Sequence, residues 1–392
     1  MIDYAAYARE LRHELHQCPE IGFDLEKTTA IVKRELDAMG IPYTEKFGKG
    51  SVVATISEGK PFTFGLRADM DALPVQEASQ NPFPSRHPGV MHACGHDGHT
   101  AQMLAVARCL NDQKENLRCG VKIIFSPAEE YITPGCKMLA ENGVMEGIDA
   151  VIACHVDPRL DLGNIGITAG GMNANSMGII AEFFGKPAHA QVQQKGVDAI
   201  RMGMQAYMSM ELMLAKEVSP LAPCLLNVGS FHGGNTNNII CDYAKMFLSS
   251  RTQDDELTAF LERRVREICE GTAQMCGGSA KVTVTKLLPY VYNHPEMVEK
   301  LSETAEKLLG KEHIHAMERT MGGEDFSFLS RIKPGVLFRL GTRNDFNPDT
   351  AATLHNDHFD LDERCFEIGI PLFVQFVLEH QDGIAFKEGI CV

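Results

Sequence analysis

No stretch of this 392-residue chain stays apolar over the eighteen or so residues that a membrane-spanning helix requires, so a membrane partner is not expected. The opening Met1-Ile2-Asp3-Tyr4-Ala5 has neither a basic n-region nor an apolar h-region, and without a secretory signal the expected location is cytoplasmic. Paired CxxC spacing is missing. The 12 cysteines are scattered, a pattern that fits reduced thiols, most of them small buried hydrophobes. Positive charge is in short supply: a net charge of −15 argues against nucleic acid or an anionic membrane as partner, though not against a local positive site for a small carboxylate. Repeats and low-complexity segments are also absent. What remains, 44% hydrophobic and 23% charged residues, is ordinary for a globular protein, and the length favours two domains over one core.

Tyr4, Tyr7, Ala8, Leu11 and Leu15 fall on one helical stripe, and a second helix is expected over Thr28–Met39, stopped by Gly40 and Pro42. Strands are expected at Ser51–Ile56, Phe62–Arg67, Val121–Phe125 and Asp149–Cys154, with a helix at Thr100–Leu110. Strands alternating with helices, and polar residues at strand carboxyl ends, point to an α/β sheet with a site at that edge. From about residue 175 the order becomes β-α-β-β-α-β: strand Gly178–Phe184, helix Val197–Lys216, strands Cys224–Phe231 and Ala244–Arg251, helix Asp255–Glu270, strand Ala280–Leu288. That is the ferredoxin-like split βαβ order, and it reads as an inserted α+β domain. Helix Pro295–Leu309, strand Val336–Gly341 and helix Asp362–Glu379 follow. The expected division is therefore 1–174, 175–290 and 291–392, the first and last parts forming one domain.

The densest chemistry lies in Met91-His92-Ala93-Cys94-Gly95-His96-Asp97-Gly98-His99. A thiol, several imidazoles and a carboxylate within nine residues suit a zinc-like divalent metal. Cys94 and His96, two apart in a glycine-containing loop, can reach one metal pair; Asp97 and His99 are outer partners or spare ligands. Ser126-Pro127-Ala128-Glu129-Glu130 follows an apolar strand. If that strand continues, the two carboxylates point to opposite faces, one toward metal and the other toward substrate water. His155 closes another apolar strand, and His355 lies in Leu354-His355-Asn356-Asp357-His358. Taken singly, each of these two is as well explained by structure. Arg67-Ala68-Asp69-Met70-Asp71 ends the second strand, where Asp69 and Asp71 could orient ligands or cap a turn. In the insert, His189, Asn238 and Arg251 are surface or turn positions when taken alone. Gly322-Gly323 could bring backbone N–H groups close to a ligand. Metal-assisted hydrolysis accounts for the set. A cysteine hydrolase using Cys94 with His96 or His99 as base, or a non-catalytic metal-dependent binding protein, accounts for less of it.

These segments together resemble peptidase family M20, in particular its amidohydrolase subfamily D, which includes hippurate hydrolases, indole-acetyl-amino-acid hydrolases and N-acetyl-diaminopimelate deacetylases. The likeness runs from Leu15-His16-Gln17-Cys18-Pro19-Glu20-Ile21-Gly22-Phe23 through Arg67-Ala68-Asp69-Met70-Asp71-Ala72-Leu73-Pro74, the Cys94 loop and Pro127-Ala128-Glu129-Glu130. It ends at Gly322-Gly323-Glu324-Asp325-Phe326 and His355…Phe359-Asp360-Leu361-Asp362-Glu363. The resemblance implies a mixed-sheet di-metal catalytic domain carrying an inserted lid and dimerisation domain. It implies two divalent ions (zinc, manganese, cobalt or nickel), with Cys94 bridging, His96 and His155 on one ion and Glu130 and His355 on the other. Glu129 would be the general base and His189 a donor to the oxyanion, with Asp69 also in the catalytic set. Asn238, Arg251 and Gly323 would bind the substrate, an N-acyl amino acid or short peptide, in a homodimer. A dipeptidase or carboxypeptidase of the same family would use the same residues. The chain departs from the family pattern at Ser126, where Gln is frequent, and at Tyr131-Ile132-Thr133-Pro134, where a glycine-rich run follows the ligand Glu. It departs again at Gln193, Gln194 and Cys241, in place of Pro, His and Pro.

Overall fold

Three apolar runs pair in parallel at the centre of the larger of two units. In a computed structural model that describes residues 2–387, Thr63–Asp69 lies between Gly120–Ser126 and Ala150–Asp161, and Gly335–Arg343 runs parallel on the far side of Ala150–Asp161. The antiparallel Val52–Ile56 joins at Gly120–Ser126, and short strands extend the ends to an eight-stranded mixed sheet. Alternation sends Phe64, Leu66, Ala68, Val121, Ile123 and Phe125 into one core. Val53, Ile124, Val151, Ala153 and Leu337 enter the other.

Helices Tyr4–His16, Glu26–Met39, His96–Asn111, Pro295–Leu309 and Phe366–Glu379 contribute to the first core. The Glu26–Met39 helix begins on a leucine that cannot cap it. The Glu20 carboxylate instead accepts from the amides of Lys27 (3.1 Å) and Thr28 (2.9 Å), which explains the glutamate of the Pro19-Glu20-Ile21-Gly22-Phe23 segment. The helix expected at Thr100–Leu110 starts earlier, at His96, and is buried along nearly its whole length. His96, Asp97 and His99 occupy its first turn; their polarity hides the helical start from a hydrophobic-period reading. The strand expected to end at Cys154 continues to Asp161. The expected helix over Asp362–Glu379 is a 3₁₀ turn at Glu363–Cys365 followed by Phe366–Glu379. Among the described residues no helix is long and apolar enough to cross a membrane.

The chain up to Met172, Val291–Glu318 and the part from Asp325 on form this unit; Asn173–Tyr290 with Arg319–Glu324 form the second. The second is a four-stranded antiparallel sheet in the order Ser279–Leu288, Asn175–Phe184, Tyr243–Thr252, Cys224–Gly233, with helices Ala199–Glu217 and Asp255–Met275 packed on it. Numbered along the chain, that strand order is 4-1-3-2, the ferredoxin-like arrangement.

Candidate metal centre

Gly95 turns the chain between Cys94 and His96. Its φ of 83° is left-handed, and a Cβ there would lie 2.5 Å from Val156 Cγ2. Only glycine fits, and the turn lets two residues that are nearly adjacent converge. His155 joins them from the Ala150–Asp161 strand. The ladder from that strand to Thr63–Asp69 stops at Arg67 opposite Ala153, so His155 stands just past the last paired residue, at the carboxyl end of its neighbour. Ligand atoms of Cys94, His96 and His155 all lie within 4.8 Å of one another, as do those of Cys94, Glu130 and His355. The two groups share the Cys94 thiol.

Backbone carbonyls set the imidazoles. His96 Nδ1 is 2.8 Å from the Asp71 carbonyl oxygen and His155 Nδ1 is 2.7 Å from that of Val156. A carbonyl only accepts, so each Nδ1 carries the proton and each Nε2 presents a lone pair. His155 Nε2 lies 3.5 Å from Cys94 Sγ, and His96 Nε2, fully buried, has no hydrogen-bond partner. Glu130 Oε1 sits 2.9 Å from His355 Nε2 but outside hydrogen-bonding geometry. A buried lone pair left without a donor is costly unless something electropositive fills the place. The set of one thiol, three imidazole nitrogens and one carboxylate fits borderline divalent cations.

The electrostatics agree. Burial, and Glu130 after it, push the Cys94 thiol well up. Burial pushes His155 well down, into its neutral form. Burial also opposes a charge on His96, but Asp69 and Cys94 outweigh it and hold that imidazole well above the usual range, so its Nε2 becomes a ligand by exchanging a proton for the metal ion. An ionised thiol at this position therefore calls for a cation close by.

Glu129 and Glu130 are not on a strand. The Gly120–Ser126 strand has ended, and Ala128 has a left-handed φ of 56°. The bend is clamped by Asp71: its Oδ1 accepts from the Glu129 amide (3.0 Å) and its Oδ2 from the Glu130 amide (3.1 Å). Glu129 Oε1 accepts from the Asp325 amide at 3.3 Å. Strand alternation would send the two carboxylates to opposite faces; the bend instead brings an oxygen of each within 4.8 Å of the other and of a His96 ring nitrogen.

Around this centre lies a buried ionic frame. Arg67 pairs with Asp69 (2.6 Å) and Asp325 (2.5 Å) and donates to Ser126 Oγ (2.9 Å). Asp69 Oδ1 takes His99 Nδ1 at 2.5 Å, and His99 Nε2 accepts from the Val156 amide at 3.0 Å. Both ring nitrogens of His99 are used, so His99 is a frame residue rather than a spare ligand. Asp97 is not a ligand either: it faces Arg12 (3.1 Å) and His16 (2.8 Å). Burial opposes ionisation of Asp69, but Arg67, His96 and His99 overcome it and hold its carboxyl well below the usual carboxylate range. Arg67, Arg12 and His16 escaped sequence reasoning. The only signal was their position in motif segments, because a buried arginine or histidine looks like a surface one until its partners are known.

The second unit brings two of its candidates together. His189 forms an isolated bridge with Ile239, and the Ala190 amide donates to the Asn238 carbonyl at 2.9 Å. The His189 side chain is exposed, its Nδ1 accepting from the Gln191 amide at 3.1 Å. Arg251 lies on the Tyr243–Thr252 strand, half-buried, and donates to the Ser250 carbonyl. Gly323 is exposed and packs beside Leu288.

The sequence profile of peptidase family M20/M25/M40 matches residues 65–379. The chain belongs to that family. Among M20 relatives, the hippurate hydrolase of Campylobacter jejuni is 32% identical over 361 residues, which cover 91% of this chain and 94% of that one. An N-acetylcysteine deacetylase of Bacillus subtilis is 31% identical over 387 residues, covering 96% and 98%. A crystal structure from Bacillus subtilis, a dinuclear metal-binding peptidase of the M20 family, superposes with a TM-score of 0.82 at 28% identity, covering 96% of this chain and 98% of that one. This M20 chain is accordingly a hydrolase of the amidohydrolase and peptidase group, with the mixed α/β fold of its dinuclear relatives.

Proposed function

We propose that the protein is a metal-dependent amidohydrolase that cleaves the amide bond of N-acyl amino acids to a carboxylic acid and a free amino acid. The observation that carries this reading is the pair of ligand groups sharing Cys94, with both buried imidazoles held in the tautomer that offers Nε2. Cys94, His96 and His155 would hold one ion and Cys94, Glu130 and His355 the other. Bound there, two divalent cations (zinc, manganese, cobalt or nickel) supply a lowered water pKa and a polarised scissile carbonyl. Glu129 takes the proton of the attacking water and returns it to the leaving amine. Asp69, fully buried with one oxygen on Arg67 and the other on His99, is a positioning residue that fixes His99. His189 donates to the developing oxyanion, and Asn238, Arg251 and Gly323 hold the amino-acid portion, Arg251 through its carboxylate. The insert's sheet has two edge strands, Cys224–Gly233 and Ser279–Leu288. Self-pairing at one edge would give a C₂ dimer in which His189 serves the partner's site.

The relatives support this substrate class: one is a hippurate hydrolase and another an N-acetylcysteine deacetylase. A cysteine nucleophile at Cys94 is disfavoured because burial raises its thiol, whereas a nucleophilic thiol needs a lowered pKa. The test is metal content measured beside turnover of N-acetyl, N-benzoyl and dipeptide substrates with manganese, zinc, cobalt and nickel. Full activity in chelator would overturn the reading and favour Cys94 as nucleophile. Turnover of dipeptides alone would make the protein a peptidase of the same family.

A further inference from the structure

One buried charge has no place in the hydrolytic reading. Arg339 lies on the Gly335–Arg343 strand and is 8% exposed, yet among the described residues it makes no hydrogen bond and no ion pair. An arginine this enclosed is ordinarily paired, because an uncompensated buried charge is costly. The two fully buried arginines of the same unit obey that rule: Arg12 meets Asp97, Asp360 and Glu363, and Arg67 meets Asp69 and Asp325. The Asp157 carboxyl is close enough to feel the Arg339 charge, but it spends both oxygens on Arg159, at 2.9 and 2.6 Å. The Arg339 guanidinium is also not sealed in as His96 Nε2 is, so a small solute can reach it.

The sheet register places this charge. In the parallel ladder Leu337 stands opposite Ala153, Phe338 opposite Cys154 and Arg339 opposite His155. Leu337 and Ala153 enter one core, and Phe338 and Cys154 the other, so partners in this register share a face. Arg339 and His155 therefore leave the same face of adjacent strands about 4.8 Å apart. No other charge acts on His155 as strongly as that of Arg339. On its other flank Arg339 pairs with Gly166, where an added Cβ would lie 2.4 Å from Met317 Cγ. Met317 thus fills the space that a side chain at Gly166 would take. The guanidinium stands between it and a candidate metal ligand.

We infer that Arg339 forms a carboxylate-binding subsite on the His155 side of the metal centre, for a carboxylate other than the one already given to Arg251. The inference rests on the amidohydrolase reading for what the centre does. A guanidinium presents a planar fork of donors that matches the two oxygens of a carboxylate, and enclosure makes that match selective. A cation held by His155 would repel Arg339, and an anion taken up by Arg339 offsets that repulsion. The same chemistry is offered by a second carboxylate on the substrate and by a free carboxylic acid of the kind that amide cleavage releases.

The experiment uses the metal-loaded full chain and separates these sources. Two matched pairs read the substrate: N-acetylglutamate against N-acetylglutamine, and N-succinylglycine against N-pentanoylglycine. Propionate, as an inhibitor, reads the free acid. Each is measured as kcat/KM or inhibition in the parent and as calorimetric binding to Glu129→Gln protein. The expected result is a preference for the acid in one pair, or inhibition by propionate, that falls about 10–100-fold in Arg339→Met and in part in Arg339→Lys. A parent with no preference in either pair and no propionate inhibition overturns the subsite, whether or not the variants fold. Ratios and propionate affinity that stay constant in Arg339→Met also overturn it; if bound metal or all rates fall together, Arg339 acts through His155 instead. No cleavage of any N-acyl amino acid, with two metals bound, overturns the amidohydrolase reading. Propionate binding to the same protein with and without Arg339 then still decides the subsite, and equal affinity overturns it.

Discussion

Asp71→Asn removes one atom's acceptor capacity and little else. The Asp71 carboxylate is 1% exposed and takes one backbone amide on each oxygen, that of Glu129 at 3.0 Å and that of Glu130 at 3.1 Å. Asparagine keeps one acceptor oxygen and sets an NH₂ group against the other N–H. One buried amide is then unsatisfied, at about 1–3 kcal/mol, and the surviving hydrogen bond loses its charge assistance, about 1 kcal/mol more. The expected loss is about 2–4 kcal/mol, concentrated in the bend that aims both glutamates. Because a misplacement of about 1 Å at reacting groups costs roughly 10² in rate, kcat should fall by about that factor and Glu130-dependent metal occupancy should weaken. Urea denaturation, bound metal and kcat measured on the same preparations check this. An unchanged denaturation midpoint with an unchanged kcat would refute the clamp, and lost stability at full activity would show that the bend does not govern the glutamates' aim.

Glu129→Gln should keep both metals and lose about 10²–10⁴ in kcat, whereas Glu130→Gln should lose metal first; bound metal measured beside kcat separates them, and reversed phenotypes would exchange the two roles. Cys94→Ser should lose metal affinity and rate, and Cys94→Asp should keep more of both because a carboxylate can also bridge; equal retention in chelator-titrated samples would refute the bridge. Mixed dimers of His189→Ala and Glu129→Ala chains should regain activity in the one site that has both residues, while verified subunit exchange without recovery would confine His189 to its own chain.

Much of the fold could be read from periodicity because burial follows it. The Pro295–Leu309 helix ends where its proline and glycine place it, and the six elements of the insert have enough apolar contrast to give their β-α-β-β-α-β order. The reading failed where polar residues are buried. His96, Asp97 and His99 form the first turn of a buried helix, so the sequence shows a loop where the chain shows a helix start. The nearness of Cys94, His96 and His155 could be suspected from residue type, but the two carbonyls that fix the tautomers could not, since a backbone acceptor leaves no trace in the sequence. The same limit applies to Arg67: beside its near neighbour Asp69, Ser126 and Asp325 meet it from distant parts of the chain, and only the folded sheet assembles them.

The Arg12–His16–Asp97 cluster makes the last prediction, about pH. Burial works against a charge on His16, but Asp97 at 2.8 Å and Glu77 at 3.2 Å outweigh it, Arg12 subtracts, and the imidazole is pushed up to about 9. His92, buried and without a hydrogen-bond partner on either ring nitrogen, is instead pushed down by burial to about 3. The signs oppose. A histidine raised in the folded state stabilises fully below its unfolded value of about 6.5, and that stability is lost as pH rises through 9. A histidine lowered in the folded state costs stability only as pH falls below 6.5. His92 is therefore silent above neutrality, where His16 contributes to the slope. With a limiting slope of about 1.4 kcal/mol per pH unit, the His16 contribution should shrink by about 2 kcal/mol between pH 7 and 8.5. His16→Gln removes the titration, so the stability difference between parent and variant, measured by urea denaturation at equal metal loading, should narrow by that amount across the interval. Parallel curves would mean that His16 is neutral in the folded protein, and that Asp97 is held ionised by Arg12 alone.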